Sequence, residues 1–285
     1  MMKTVWAYMT LIRIPNCLLA MAAVGAGRYL TPGSAGRGMD PWALAAAFFV
    51  CGFGNIVNDI CDIDSDRINH PRRALPSGII SMDRAKTVAF CFLIVSCGLL
   101  IVLDNLSRLI VMVGLILVTW YNLRLKHIPY WGNAAVSLLG SFAFLLGGAG
   151  GGIETLIGLP GPMIPAVFAF LMHFGREIIK DVQDRVGDKS IGSRTAPVVS
   201  GMAEPMSAAY AALFLLCGLA VAVYAAGWFK SAYLFIVIAL ICLPLSVIAF
   251  WLGLRPEAGK CRTASAIIKL QMAIGLVTLM LGKSY

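Results

Sequence analysis

Long apolar runs separated by short polar stretches dominate the chain. Nine of them approach or reach spanning length, near residues 5–27, 42–58, 85–103, 107–122, 130–149, 162–180, 205–227, 231–253 and 264–282, against the roughly 20 residues that a helix needs to cross hydrocarbon. The runs are continuous where a barrel strand would alternate, so they predict helices. The Gly-rich stretch from Gly147 to Gly152 reads as a helix end and turn.

Composition removes the other classes. Of 285 residues 59% are hydrophobic and 13% charged, whereas soluble domains run at about 45–50% apolar and about 25% charged. A water-soluble fold and a disordered chain are both excluded. The fold class is an all-α integral membrane protein of about nine transmembrane helices, with little length left for a soluble domain. Arg13, Pro15 and Asn16 interrupt the first apolar run before any cleavage site, so a retained first helix is expected rather than a signal peptide.

The net charge of +9 fits cytoplasmic loops of a membrane protein better than nucleic acid, which is not expected as a partner. The N-terminus and the loops after the second, fourth, sixth and eighth runs hold 18 of the 23 Lys and Arg. Arg28, Arg37, Arg108, Lys230 and Lys283 lie on the other side. The expectation is a multi-pass protein of the cell membrane with the N-terminus cytoplasmic and the C-terminus outside. Eight cysteines without metal-ligand spacing read as small buried hydrophobes.

Acidic residues are less evenly spread. Asp59, Asp62, Asp64 and Asp66 follow the second run, and Glu177, Asp181, Asp184 and Asp188 end the sixth. Both clusters fall on the same predicted side, four helices apart, which reads as two similar halves, roughly 1–128 and 129–285. If the second helix continues, Asn58, Asp62 and Asp66 share a face, as do residues 177, 181, 184 and 188. Like charges at such spacing cost roughly 0.2–0.5 kcal/mol per exposed pair, so a cation is needed. Carboxylate and amide oxygens suit Mg²⁺, which binds through one or two carboxylates together with substrate phosphates. Two such faces imply a Mg²⁺-diphosphate clamp.

Arg67, Arg72, Arg73, Arg124, Lys126, Arg176, Lys180, Arg185, Lys189 and Arg194 interleave with the acids and suit an anionic leaving group. Arg13 and Asn16 lie within or beside the first helix, where charge is costly, and so point to a polar cavity. Tyr121 and Asn122 are positioned to reach the same pocket. Lys269 reads as a snorkelling lysine and His173 as a satisfied interhelical hydrogen-bonder, while the three histidines form no metal pattern.

The stretch from Asn58 to Asp66, continued by Arg67-Ile68-Asn69-His70-Pro71-Arg72-Arg73-Ala74-Leu75-Pro76-Ser77-Gly78, resembles the NDxxDxxxD signature of the UbiA superfamily of intramembrane prenyltransferases. The DxxxD at Asp184 and Asp188, the early Arg13-Ile14-Pro15-Asn16 and the segment Tyr121 to Lys126 extend the resemblance over most of the chain. It implies one domain over 1–285, with nine helices around a central cavity and the active site at the cytoplasmic side. Around the second motif, Gly175 to Asp184, Gly187-Asp188-Lys189 and Gly192-Ser193-Arg194-Thr195 look like the branch of digeranylgeranylglyceryl phosphate synthases. One departure is Arg73-Ala74-Leu75 where many relatives carry Arg-Pro-Ile or Arg-Pro-Leu, which loosens that loop.

The activity so implied is Mg²⁺-dependent transfer of a prenyl group from a long-chain allylic diphosphate, such as geranylgeranyl diphosphate, to the hydroxyl of geranylgeranylglyceryl phosphate. Two ions are expected, one on Asn58, Asp62 and Asp66 with Asp59 beside them, the other on Asp184 and Asp188; Asp181 is the candidate proton acceptor. Arg13, Asn16, Arg72, Arg73, Tyr121, Lys126, Lys180 and Arg194 are expected to hold diphosphate or substrate, with Arg72, Arg73, Arg194 and Lys126 as candidates for the acceptor's phosphate. An aromatic-ring acceptor is the alternative within the superfamily. A cation transporter is the alternative of another class, ranked last because its acids belong at mid-bilayer and these cluster at helix ends.

Overall fold

The computed structural model describes residues 2–33 and 38–284. Arg37 and the side chain of Lys3, both counted in the charge reading, lie outside the described residues. The described residues are helical throughout, apart from turns and one isolated bridge between Phe229 and Lys283.

The chain opens with α1 (Met2–Ile12) and α2 (Ile14–Leu30), bent by 43°. The bend sits at Arg13, whose backbone is left-handed (φ 56°, ψ 56°), two residues before Pro15 in the first turn of α2. Then follow α3 (Pro41–Cys61), α4 (Ile63–Asn69), α5 (Met82–Leu99) and α6 (Asn105–Leu123). The side chains of Asp40, Ser81 and Asp104 cap the N-termini of α3, α5 and α6. A 3₁₀ turn (Leu125–His127) leads to α7 (Trp131–Ala149), the short α8 (Ile153–Ile157), and α9 (Met163–Ser190). After α10 (Ala196–Val199) and α11 (Ala203–Ala225), one rod is built from α12 (Ser231–Ile236), a π-helical stretch (Val237–Cys242) and α13 (Leu243–Leu252); α14 (Ala258–Gly282) ends the chain.

Every predicted run coincides with one of these rods. Among the described residues six helices are long and apolar enough to cross a membrane, and the bent α1–α2 pair makes up to seven. The outer surface carries large apolar side chains, among them Phe250 at 92% and Ile101 at 80% exposure, as a surface solvated by lipid requires. Two boundaries differ from expectation in ways that matter for the site. Helix α3 does not continue through the first acidic segment but stops at Cys61 and restarts as α4, with Asp62 at the joint. Helix α9 runs ten residues past its predicted end, because the acidic turns that lower its hydropathy are stabilised by packing rather than by lipid.

The inner wall is formed by α2, α3, α6, α7, α9 and α14, each packed on the next, with α14 returning to α2; α5 lies outside α3, and α11 outside α9. The α2–α7 contact is nearly backbone to backbone. A methyl group on Gly27 would fall on the Phe144 carbonyl, and one on Gly147 on the Val24 carbonyl. Such small residues allow close helix approach where lipid supplies no hydrophobic drive.

Candidate active site

The first acidic segment gathers at the α3–α4 joint. Asn58 Nδ2 donates to Asp62 Oδ2 at 2.8 Å and to Asn122 Oδ1 on α6 at 3.3 Å. Asp62 is ion-paired with Lys126, from the turn after α6. Arg73 Nη1 donates to both oxygens of Asp66, at 2.7 and 2.6 Å. Asp59 is turned away from the cavity. It is 3% exposed, ion-paired with Arg13, and 3.8 Å from Arg73. The break at Arg13 that Pro15 favours is thus what delivers a guanidinium to α3.

The second segment lies beside the first. Asp184 Oδ1 is 3.2 Å from His70 Nε2, and Asn69 Nδ2 donates to the Asp184 carbonyl at 3.1 Å. Asp188 accepts from Ser65 at 3.5 Å and from Thr195 at 3.2 Å. Helix α4 can come this close because residue 187 is glycine, since a side chain there would collide with Asn69. The loops join as well, through His127 Nδ1 and Ser193 Oγ at 3.0 Å. About 20 residues suffice to cross a bilayer, so the last two turns of the 28-residue α9 project beyond it. There the Asp188 carboxyl is pushed up to about 6, first by burial and then by the neighbouring Asp184. Burial also raises Asp66, and Arg73 opposes that rise.

Below the acids lies a cavity of about 400 Å³, within the range of ligand pockets. Arg13, Asn16, Asn58, Tyr121, Glu177 and Lys180 line its acidic end, and residues such as Leu19, Phe142, Phe168 and Leu279 its apolar remainder. Between the lining residues Ala46 and Asn58 on α3 the rise is about 18 Å, long enough to take several isoprene units.

Of the predicted site residues, Arg13, Asn16, Asn58, Tyr121 and Lys180 line this cavity. Asp62, Asp66, Asp181, Asp184, Asp188, Arg73 and Lys126 do not line it. They belong to the acidic end above, where Asp181 accepts a 2.7 Å hydrogen bond from Asn133. Arg72 and Arg194 are exposed and outside the lining. Asp59 is ion-paired with Arg13, as Asp62 is with Lys126 and Asp66 with Arg73.

Lys269 and His173 differ from the sequence reading, and the Arg176–Glu177 pair and the partner of His70 were not foreseen. Lys269 lines the cavity, with Nζ 2.6 Å from Asn16 Oδ1. His173 Nδ1 is buried without a hydrogen-bond partner. Arg176 and Glu177, 2.5 Å apart, face the cavity as a pair. His70 meets Asp184, a contact no local spacing announces. Of the cysteines, Cys17 and Cys261 are buried as expected, while Cys61, Cys91 and Cys97 are exposed.

Among the described residues no three His, Cys, Asp or Glu side chains are gathered into a metal cage. The donor set nevertheless fits Mg²⁺, which takes one or two carboxylates and completes its shell with water and phosphate. Among the described residues no cation is ion-paired with Asp188; its partners are two hydroxyls.

A helical membrane bundle in which two carboxylate-bearing helix ends meet over a long apolar cavity is built for an amphiphile with a polyanionic head. Comparison with known proteins agrees: the model of the UbiA prenyltransferase family matches residues 16–273, and the chain belongs to that family. It is 34% identical over 284 residues to a digeranylgeranylglyceryl phosphate synthase of Methanococcus aeolicus, covering 96% of each chain. It is 31% identical to the protein of that name in Methanopyrus kandleri, over 95% of this chain and 97% of that one. A solved structure described as a digeranylgeranylglyceryl phosphate synthase in membranes superposes with a TM-score of 0.73 at 27% identity, covering 98% of both chains. The fold is also that of a UbiA homolog from Archaeoglobus fulgidus solved with GPP and Mg²⁺, at a TM-score of 0.64 and 20% identity over 96% of this chain and 99% of that one.

Proposed function

We propose that this protein transfers a geranylgeranyl group from geranylgeranyl diphosphate to the hydroxyl of geranylgeranylglyceryl phosphate, forming the second ether of a membrane lipid. The observation that carries the reading is the packing of α4 on α9, which joins the two acidic segments above an apolar cavity; the names of the full-length relatives direct it to this acceptor.

On this reading Asn58, Asp62 and Asp66 would hold one Mg²⁺, and Asp184 and Asp188 a second. Bound there, the metal supplies neutralising charge for the departing diphosphate. The chain's own residues do the rest. Lys126 and Arg73 offer cations at the same end, where the diphosphate oxygens develop charge. The apolar wall takes the prenyl tail and keeps water from the allylic carbon. The allylic C–O bond breaks, pyrophosphate leaves, and the acceptor oxygen forms the new C–O bond. Asp181, oriented by Asn133, is our candidate for the hydroxyl proton.

The remaining architectural readings follow. We read nine spans, counting the bent α1–α2 pair, α5 and α9 with the six, and a cytoplasmic acidic face with the C-terminus opposite. We read one domain in two halves, supported by two large separate apolar cores, one drawn mostly from residues 7–118 and the other from residues 171–268.

The test is to incubate purified protein with labelled geranylgeranyl diphosphate and Mg²⁺, offering geranylgeranylglyceryl phosphate beside 4-hydroxybenzoate and a naphthoate. An ether product is expected. A prenylated ring as main product would replace this reading with an aromatic-ring transferase.

A further inference from the structure

The reaction as derived leaves one group of cavity residues unused. Four cations line the wall, Arg13, Arg176, Lys180 and Lys269, with Glu177 as the one carboxylate among them. Asp59 is ion-paired with Arg13, so among the lining residues the positive charge outweighs the negative. Glu177 is shared between Arg176 at 2.5 Å and Lys180 at 3.6 Å. Lys269 has a neutral partner, the Asn16 amide oxygen.

Arg176 and Lys269 are brought together by α14. Arg176 Nε donates to the Ser265 carbonyl at 3.2 Å, and Lys269 follows Ser265 by one turn on the same face. The same wall holds a buried ring nitrogen without a hydrogen-bond partner, His173 Nδ1, one turn deeper than Glu177. Surplus positive charge in an otherwise apolar wall, beside an imidazole nitrogen able to donate, is a site shaped for an anion.

We infer that Lys269 and Arg176 bind the phosphomonoester of the acceptor lipid and so determine acceptor specificity, from within the cavity, whereas the diphosphate is held by the carboxylates and cations that lie beyond its lining. The inference rests on the proposed reaction. A phosphomonoester carries about −1.5 to −2 at neutral pH, which suits this excess of positive charge. The acidic end has its own cations in Arg73 and Lys126, and the acceptor's alkyl chain shares the apolar wall. The sequence-based expectation puts the acceptor phosphate on Arg72, Arg73, Arg194 and Lys126; here Arg73 and Lys126 serve the diphosphate instead, and Arg72 and Arg194 are exposed.

The test compares wild type, Lys269→Met and Lys269→Arg at saturating geranylgeranyl diphosphate and Mg²⁺. The acceptors are geranylgeranylglyceryl phosphate and the same ether lipid without its phosphate. Lys269→Met should raise KM for the phosphorylated acceptor about tenfold or more, as loss of one charge-assisted contact does. KM for the unphosphorylated lipid and for the donor should stay within about twofold. Lys269→Arg should recover part of the loss, and a calorimetric titration of the phosphorylated lipid without donor should give the same order of affinities should Lys269→Met turn over too slowly. A rise in donor KM instead, or equal effects on both acceptors, overturns the inference while the proposed reaction stands. Failure of wild type to alkylate either glyceryl lipid overturns the reaction itself.

Discussion

At the α3–α4 joint three carboxylates each meet a cation of the chain, Asp59 with Arg13, Asp62 with Lys126, and Asp66 with Arg73. At the end of α9, Asp184 meets an imidazole and Asp188 only hydroxyls. The two ends carry similar motifs, but one is neutralised from within and the other is left open. On the proposed reading this is a division of labour. Asp188 would then be free to hold metal, whereas Asp62 and Asp66 would do so only with Lys126 and Arg73 turned to phosphate oxygens.

Asp188→Asn breaks the comparison hardest. Turnover should fall by about 10²–10³-fold, the scale of losing one preorganised electrostatic group, and the Mg²⁺ needed for half-maximal rate should rise. Chelation of divalent metal should abolish the remaining rate and added Mg²⁺ restore it. Near-normal turnover with an unchanged Mg²⁺ requirement would remove Asp188 from the metal site and with it the asymmetry between the two ends.

Asp59→Asn tests the neutralised end in a different currency. It removes the partner of Arg13 without adding bulk. Breaking a fully buried pair costs about 3–5 kcal/mol; the Arg13 side chain keeps 26% exposure, so about 2–3 kcal/mol is expected here. The readout is a lowered thermal midpoint in detergent, with Mg²⁺ dependence of the remaining activity unchanged. A shifted Mg²⁺ requirement at normal stability would make Asp59 a metal ligand after all. Next in size, Lys126→Met should raise donor KM by about tenfold while leaving acceptor KM alone; equal rises in both would place Lys126 outside the diphosphate contacts.

The parts legible in the sequence were those that local pattern governs. Apolar length marked the rods, and the spacing of Asn58, Asp62 and Asp66 marked the acidic segment that gathers at the α3–α4 joint. What escaped depended on partners remote in sequence. Asp59 stands next to Asn58 in the motif, and no local spacing announces its pairing with Arg13, 46 residues earlier. Lys269 reads as a snorkelling lysine until Asn16, 253 residues earlier, is found beside it. The break at Asp62 was hidden because the acidic pattern is periodic through it, while the turn follows from packing of α4 onto α9.

The smallest effect expected is at Arg72 and Arg194, and it sharpens the comparison because each has a neighbour that matters. Arg72 precedes Arg73, which grips Asp66 with two hydrogen bonds, yet Arg72 itself points to solvent. Arg194 lies between Ser193 and Thr195, both buried and both tied to the site through His127 and Asp188, while its own side chain is exposed. An exposed charge beyond the Debye length of about 8 Å is screened from a bound phosphate at physiological salt, and its local pairs are worth about 0–1 kcal/mol. Arg72→Ala and Arg194→Ala should therefore change kcat/KM by less than about twofold for donor and acceptor alike. At low ionic strength, where screening weakens, a modest loss in the rate of donor capture should emerge and vanish again on adding salt. A tenfold loss at physiological salt in either variant would mean that these loops close onto the head group during turnover, and the open end of α9 would then be completed by arginine as well as by metal.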